Sequence, residues 1–190
     1  MRYTKKIAKY STDPNILRNI LLKNKNDEIS CCAAENSNCP GDALEFVLRQ
    51  NKDNHVSRFA AFNPNCPSSA LEFVLRQNQD NVVSYFAADN PNCSSNVLDF
   101  ILRQNKDNCI SYRIAENPNC PSSALEFVLK QNKDNCVSRF AARNPNAPPK
   151  AVLDWMRAVG RIDRYDSSKH KTDYKIDKDL EILRGYISDI

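Results

Sequence analysis

The chain repeats itself every 27 residues, and no other feature of the 190-residue sequence limits its possible folds so sharply. Asn63-Pro64-Asn65-Cys66, Asn90-Pro91-Asn92-Cys93 and Asn117-Pro118-Asn119-Cys120 recur at that interval. Asn36-Ser37-Asn38-Cys39 precedes them and Asn144-Pro145-Asn146-Ala147 follows. Complete units span 36–62, 63–89, 90–116 and 117–143. A degenerate unit at 9–35 keeps Leu17, Leu21, Ile29, Ala33 and Ala34 in register with Leu44, Leu48, Val56, Ala60 and Ala61. A partial unit at 144–159 fits once one residue is inserted before Val152, so that Leu153-Asp154-Trp155 replaces Leu125-Glu126-Phe127. A unit this short cannot bury its own apolar face and becomes stable by stacking on its neighbours, and terminal units with one neighbour are expected to be degenerate. Residues 1–159 therefore read as one repeat array.

Each unit has room for two short helices. In the unit beginning at Asn63, Pro67 suits a first helical turn, and Ala70, Leu71, Val74 and Leu75 form an apolar stripe at helical spacing. Asp80 or Asn81 can cap a second helix whose Val83, Phe86, Ala87 and Ala88 are expected to face inward before Asn90-Pro91 ends it. Helices of about eight residues are marginal alone in water, so stacking has to supply their stability.

The Asn-Pro-Asn turn followed by Pro, the Ala-Leu-x-x-Val-Leu helix and the Asp-Asn-x-Val-Ser-Arg-Phe-Ala-Ala segment resemble the leucine-rich repeat variant family over residues 9–158. The resemblance implies an all-α fold: a right-handed α-solenoid of 27-residue repeats, each an α-helix paired with a shorter α or 3₁₀ helix. It says little about function, because helical solenoids serve many partners.

Composition narrows the possibilities further. With 3 Gly, the chain is a poor candidate for folds that need glycine-rich ligand loops. Net charge is +4, yet residues 36–143 are neutral, with eleven basic and eleven acidic groups. Attraction to polyanions would thus have to come from Lys5, Lys6 and Lys9, from Arg157, Arg161 and Arg164, or from local arrangement. No apolar stretch reads as a signal or a membrane span, so the expected compartment is cytoplasmic and the eight cysteines are expected to be reduced.

Residues with reactive side chains do not assemble into a catalytic pattern, and the chain is read as a non-enzyme with no cofactor and no metal. Cys39, Cys66, Cys93 and Cys120 share one repeat position, with Ala147 in the same slot. Stacked units about 10 Å apart keep such thiols too far from one another for a zinc site or a disulfide, and small packing residues are the expectation. Cys31, Cys32, Cys109 and Cys136 form no Cys-x-x-Cys, and neither His55 nor His170 has ligand-spaced companions. Glu45, Glu72, Asp99 and Glu126 recur once per unit and suit the solvent side of the first helix.

Differences between copies carry more functional information than the matches. The second helix changes at three positions: Glu28, Cys31 and Glu35; His55, Arg58 and Phe62; Val82, Tyr85 and Asp89; Cys109, Tyr112 and Glu116; Cys136, Arg139 and Arg143. A spacing of i, i+3, i+7 defines one helical stripe, and stacking would align the stripes into a strip. Arg and Tyr there are the residue types that anchor protein interfaces. The expected function is a protein or peptide scaffold that binds along the concave repeat surface through His55, Arg58, Phe62, Tyr85, Asp89, Tyr112, Glu116, Arg139 and Arg143. The alternative is nucleic acid, with Arg on phosphates and Tyr stacked on bases, although Glu28, Glu35, Asp89 and Glu116 interrupt such a surface. A membrane partner is not expected, and self-association stays open. Residues 160–190 read as a polar linker and a C-terminal capping helix over 177–188, which would fold back on Trp155 and Met156.

Overall fold

The structure is a computed structural model that describes residues 3–77 and 79–161, so His170 and the capping helix expected at 177–188 lie outside the described residues. It comprises two compact units, Met1–Val97 and Leu98–Ile190. The first holds α1 (Lys5–Tyr10), α2 (Pro14–Leu21), α3 (Glu28–Glu35), α4 (Gly41–Leu48), α5 (His55–Phe62), α6 (Ser68–Arg76) and α7 (Val82–Asp89). Helix α8 (Ser95–Leu102) lies at the boundary, and the second unit continues with α9 (Cys109–Glu116), α10 (Ser122–Leu129), α11 (Cys136–Arg143) and α12 (Pro149–Ala158). In the first unit α2, α4 and α6 stack in sequence, and so do α1, α3, α5 and α7. In the second unit α10 packs on α11 and α12, and α9 packs on α11. Both units are thus built as an α-solenoid of two-helix repeats.

Leucine pairs from the first helices, Leu17 with Leu21, Leu44 with Leu48, Leu71 with Leu75 and Leu125 with Leu129, are buried. They meet the buried alanine pairs of the second helices, such as Ala60-Ala61 and Ala141-Ala142. Large residues on one helix against small ones on the other let the two approach closely, which fills the interior at native density. With so few glycines, asparagine closes the first helices instead: Asn24, Asn51, Asn105 and Asn132 adopt φ between 50° and 54°. Asparagine tolerates this left-handed conformation better than other residues with a Cβ.

Three expectations about the elements need correction. Of the two forms expected for the second helices the α form is the one found, and they are not consistently shorter than the first: α5, α7, α9 and α11 have eight residues, as do α4, α8 and α10, while α6 has nine. The cause is a strong start, because Asn54, Asn81, Asn108 and Asn135 each accept a hydrogen bond from the N–H of the serine three residues on, at 2.9–3.0 Å. Pro67 sits at the N-cap of α6, one residue before the first turn. Finally, α1 precedes the array, and it packs against α3 although it lacks the Asn-Pro-Asn signature.

The asparagines of that signature join one repeat to the next. Asn63 is buried; its Nδ2 donates to Ala34 O at 2.7 Å and Asn36 O at 3.0 Å, while its Oδ1 accepts from Asn65 N at 2.8 Å. Asn90 bonds to Ala61 O, Asn63 O and Asn92 N in the same way, and in the second unit Asn144 bonds to Ala115 O, Asn117 O and Asn146 N. The second asparagine adds an outer pair: Asn65 Nδ2 donates to Ser37 O and Cys39 O at 2.6 and 3.0 Å. Removing a side chain that satisfies several buried backbone groups leaves those groups without partners, which costs more than the bonds were worth net. Asn63→Ala should therefore lower unfolding stability by about 2–3 kcal/mol, and the more exposed Asn65→Ala by about 1 kcal/mol, as read from urea denaturation midpoints.

A repeated serine behaves differently from copy to copy. Ser57, Ser84 and Ser111 are buried, and their hydroxyls meet no partner among the described residues, whereas Ser138 Oγ donates to Lys133 O at 2.6 Å. Ser138→Ala should cost about 1 kcal/mol, while Ser57→Ala and Ser111→Ala should be neutral or stabilising, since they delete a buried polar group that makes no bond. Thermal melts of the three variants compare these directly.

Candidate functional site

The varied positions sit where the second helices face outward. In the first unit His55, Phe62, Val82, Asp89, Glu28 and Glu35 are exposed, and Cys31, Arg58 and Tyr85 are half-buried. In the second unit Cys109, Glu116 and Cys136 are exposed, and Tyr112, Arg139 and Arg143 are half-buried. The middle member of each triplet is partly buried, and in the last triplet Arg143 is as well. The periodicity of the strip follows from the serine and alanine positions that turn inward on the same helices, leaving i, i+3 and i+7 on the opposite side.

One aromatic position lies elsewhere than its pattern predicts. Phe86, expected to face inward, is half-buried at the edge of the strip, as are Phe59 and Phe140 at the matching positions of other repeats. Phe86 packs edge-on against Phe62, with ring centroids 5.6 Å apart, and against Tyr85 at 5.5 Å. Phe140 stacks on Tyr112 at 5.2 Å and 23°. These rings bridge adjacent second helices and give the strip an aromatic floor. The recurrence of Phe immediately after Arg58, Tyr85 and Arg139 was the signal that could have revealed it.

The arginines of the strip have different partners. Arg139 Nε donates to Asp134 Oδ1 at 3.0 Å, and Arg161 Nη2 reaches the same oxygen at 2.9 Å. Hydrogen bonding from Arg139, with Arg161 beside it, holds the Asp134 carboxyl below its ordinary value. Arg113 Nη1 donates to Glu116 Oε2 at 2.6 Å. In the first unit Lys5 pairs with Glu28, and Arg58 Nη2 donates to His55 Nδ1 at 2.9 Å. Arg58 lies over the Phe59 ring and Arg143 over the Phe140 ring. Acidic residues thus neutralise part of the basic charge within the strip itself.

The first helices carry another kind of order. Glu45, Glu72, Asp99 and Glu126 each pair with the cation four residues on, Arg49, Arg76, Arg103 and Lys130. Arg49 also covers Phe73 of the following repeat at 5.2 Å. This surface uses its charges internally and repeats with little change. Trp155 is 1% exposed, and its Nε1 donates to Lys133 O at 2.8 Å.

All eight cysteines are free thiols, and among the described residues no group of three or more His, Cys, Asp or Glu side chains is placed to hold a metal ion. Cys39, Cys66, Cys93 and Cys120 are buried, as is Ala147 in the matching slot. No helix among the described residues is long and apolar enough to cross a membrane. No protein-family model, curated protein or solved structure matches the chain.

Burial pushes these four thiols from the ordinary 9.0 up to about 12. The folded protein therefore keeps protons that the unfolded chain releases near its ordinary thiol pKa. This contribution is fully present below that pKa and is lost as the pH rises toward about 12. Each thiol adds a slope of about 1.4 kcal/mol per pH unit within that window. Replacing all four by alanine, as already stands at Ala147, should flatten the fall in stability between about pH 9 and 11, measured by urea denaturation at each pH.

Proposed function

We propose that the chain is a non-catalytic interaction scaffold that holds a protein or peptide partner along the surface of its second helices, and that it works in the cytoplasm with its cysteines reduced. One observation carries this reading: the chemistry of the outward positions of the second helices changes from copy to copy, while the asparagine joints and leucines stay the same and the inward alanine pair changes only within apolar residues, to Ile114-Ala115. A framework copied faithfully beneath a surface of Arg, Tyr and Phe suits recognition, because these side chains offer rigid contact area and planar donors. The aromatic floor holds several of them in place, which lowers the ordering cost of binding.

Capture from native lysate, with and without nuclease and read by mass spectrometry, tests the proposal. A nuclease-resistant protein should be recovered, then lost with Arg58→Ala, Tyr112→Ser or Arg139→Ala and kept with Lys130→Ala on the first-helix surface. Recovery that disappears with nuclease would assign the strip to nucleic acid instead.

A further inference from the structure

Arg58 of the strip differs from most arginines in how its charge is compensated. Arg113, Arg139, Arg157 and Arg161 each have a carboxylate within ion-pair distance, and so do Arg18, Arg49, Arg76 and Arg103 on the first helices. Arg58 has none among the described residues; its polar partner is His55 Nδ1. A guanidinium only donates, so Nδ1 must offer its lone pair and the proton of neutral His55 sits on Nε2. Both side chains therefore present donors to an open recess of about 240 Å³ between the starts of α5 and α7, lined by Asp53, Asn54, His55, Arg58 and Val82.

One helical turn further along α5 and α7, beside that recess, the surface between the two helices becomes apolar. Phe62 is 56% exposed beside Phe86, and Val82 is 48% exposed at the recess. Arg58 and Phe62 are four residues apart on α5, about 6 Å along its axis. Val82 and Phe86 have the same spacing on α7. An extended peptide places residues i and i+2 on one side about 6.6 Å apart, which matches this interval. Asp53 at the loop end repels a phosphate polyanion more than a single carboxylate, and it lies outside ion-pair distance of Arg58, so the guanidinium can still take one carboxylate.

We propose that the α5–α7 groove binds an extended peptide carrying an Asp or Glu two residues away from a large aliphatic or aromatic residue. The carboxylate takes the Arg58 fork and the His55 Nε2 proton, and the apolar side chain covers Phe62 against Phe86. This rests on the reading of the second-helix surface as partner-binding, and names the partner's chemistry.

The probe is a fluorescein-labelled peptide with the core Leu-Thr-Asp-Thr-Leu, which meets the spacing in either chain direction, titrated with the full chain and read by anisotropy. Two controls replace Asp by Asn or move it to give Leu-Asp-Thr-Thr-Leu. The parent peptide should bind about tenfold or more tightly than either control. Arg58→Gln and Phe62→Ser should each abolish that preference, whereas Arg139→Gln in the other unit leaves it intact. Circular dichroism of each variant separates loss of binding from loss of fold. Equal binding of parent and control peptides overturns the proposal, as does no binding of the parent up to about 1 mM. Lysate capture that still depends on Tyr112 and Arg139 would leave the scaffold reading standing after such a failure.

Discussion

The joint between repeats is a side-chain amide bonded to backbone carbonyls, and the rest of the structure depends on it. Helices of eight residues do not persist alone, and a leucine-alanine interface supplies attraction without fixing register. Asn63 supplies register: two donors fix where the preceding repeat lies, and one acceptor closes its own turn. Because the carbonyls belong to the backbone, the joint constrains the sequence only at the asparagine. Positions on the outer side of the second helices are thereby released to vary, as Arg58, Tyr85, Tyr112 and Arg139 do.

Much of the fold was legible because periodicity repeats its own evidence. A stripe such as Ala70-Leu71-Val74-Leu75 would be ambiguous once, but four copies in phase remove the ambiguity. What escaped was decided by geometry that a hydrophobic pattern does not encode. Phe86 is apolar and lies one position from the strip, so a period of 3.6 assigns it to the core; yet its ring is too large to share an interface built for Ala87 and Ala88, and it moves to the edge. The length of the second helices was missed for another reason. The family resemblance suggested a shorter or tighter element, while the Asn-x-x-Ser start present in this chain commits it to an α-helix. Helix α1 lacks the repeat signature, and its place in the stack is set by contact with α3 that no repeat pattern encodes.

The site was legible in position but not in state. Comparing copies located the outward stripe, since outward residues are the ones free to differ. Whether a given arginine carries an uncompensated charge depends on partners distant in sequence, as with Arg161 and Asp134, or on a neutral neighbour, as with Arg58 and His55. Such pairings follow from three-dimensional proximity, and a list of charged residues cannot supply them.

The joint also has a polarity. Within each unit a repeat gives donors to the neighbour on its N-terminal side and offers carbonyls to the one on its C-terminal side, so the two ends of such a stack face unlike chemical demands. At the start, Asn36 Nδ2 is met by Ala8 O, Lys9 O and Ser11 O from α1 and the turn after it, and any helix of suitable shape could present those atoms whatever its side chains. An opening cap is therefore generic and interchangeable. A closing element must instead carry side-chain donors of its own, as Trp155 does toward Lys133, which makes the end of such an array the more demanding place at which to fuse, truncate or extend it.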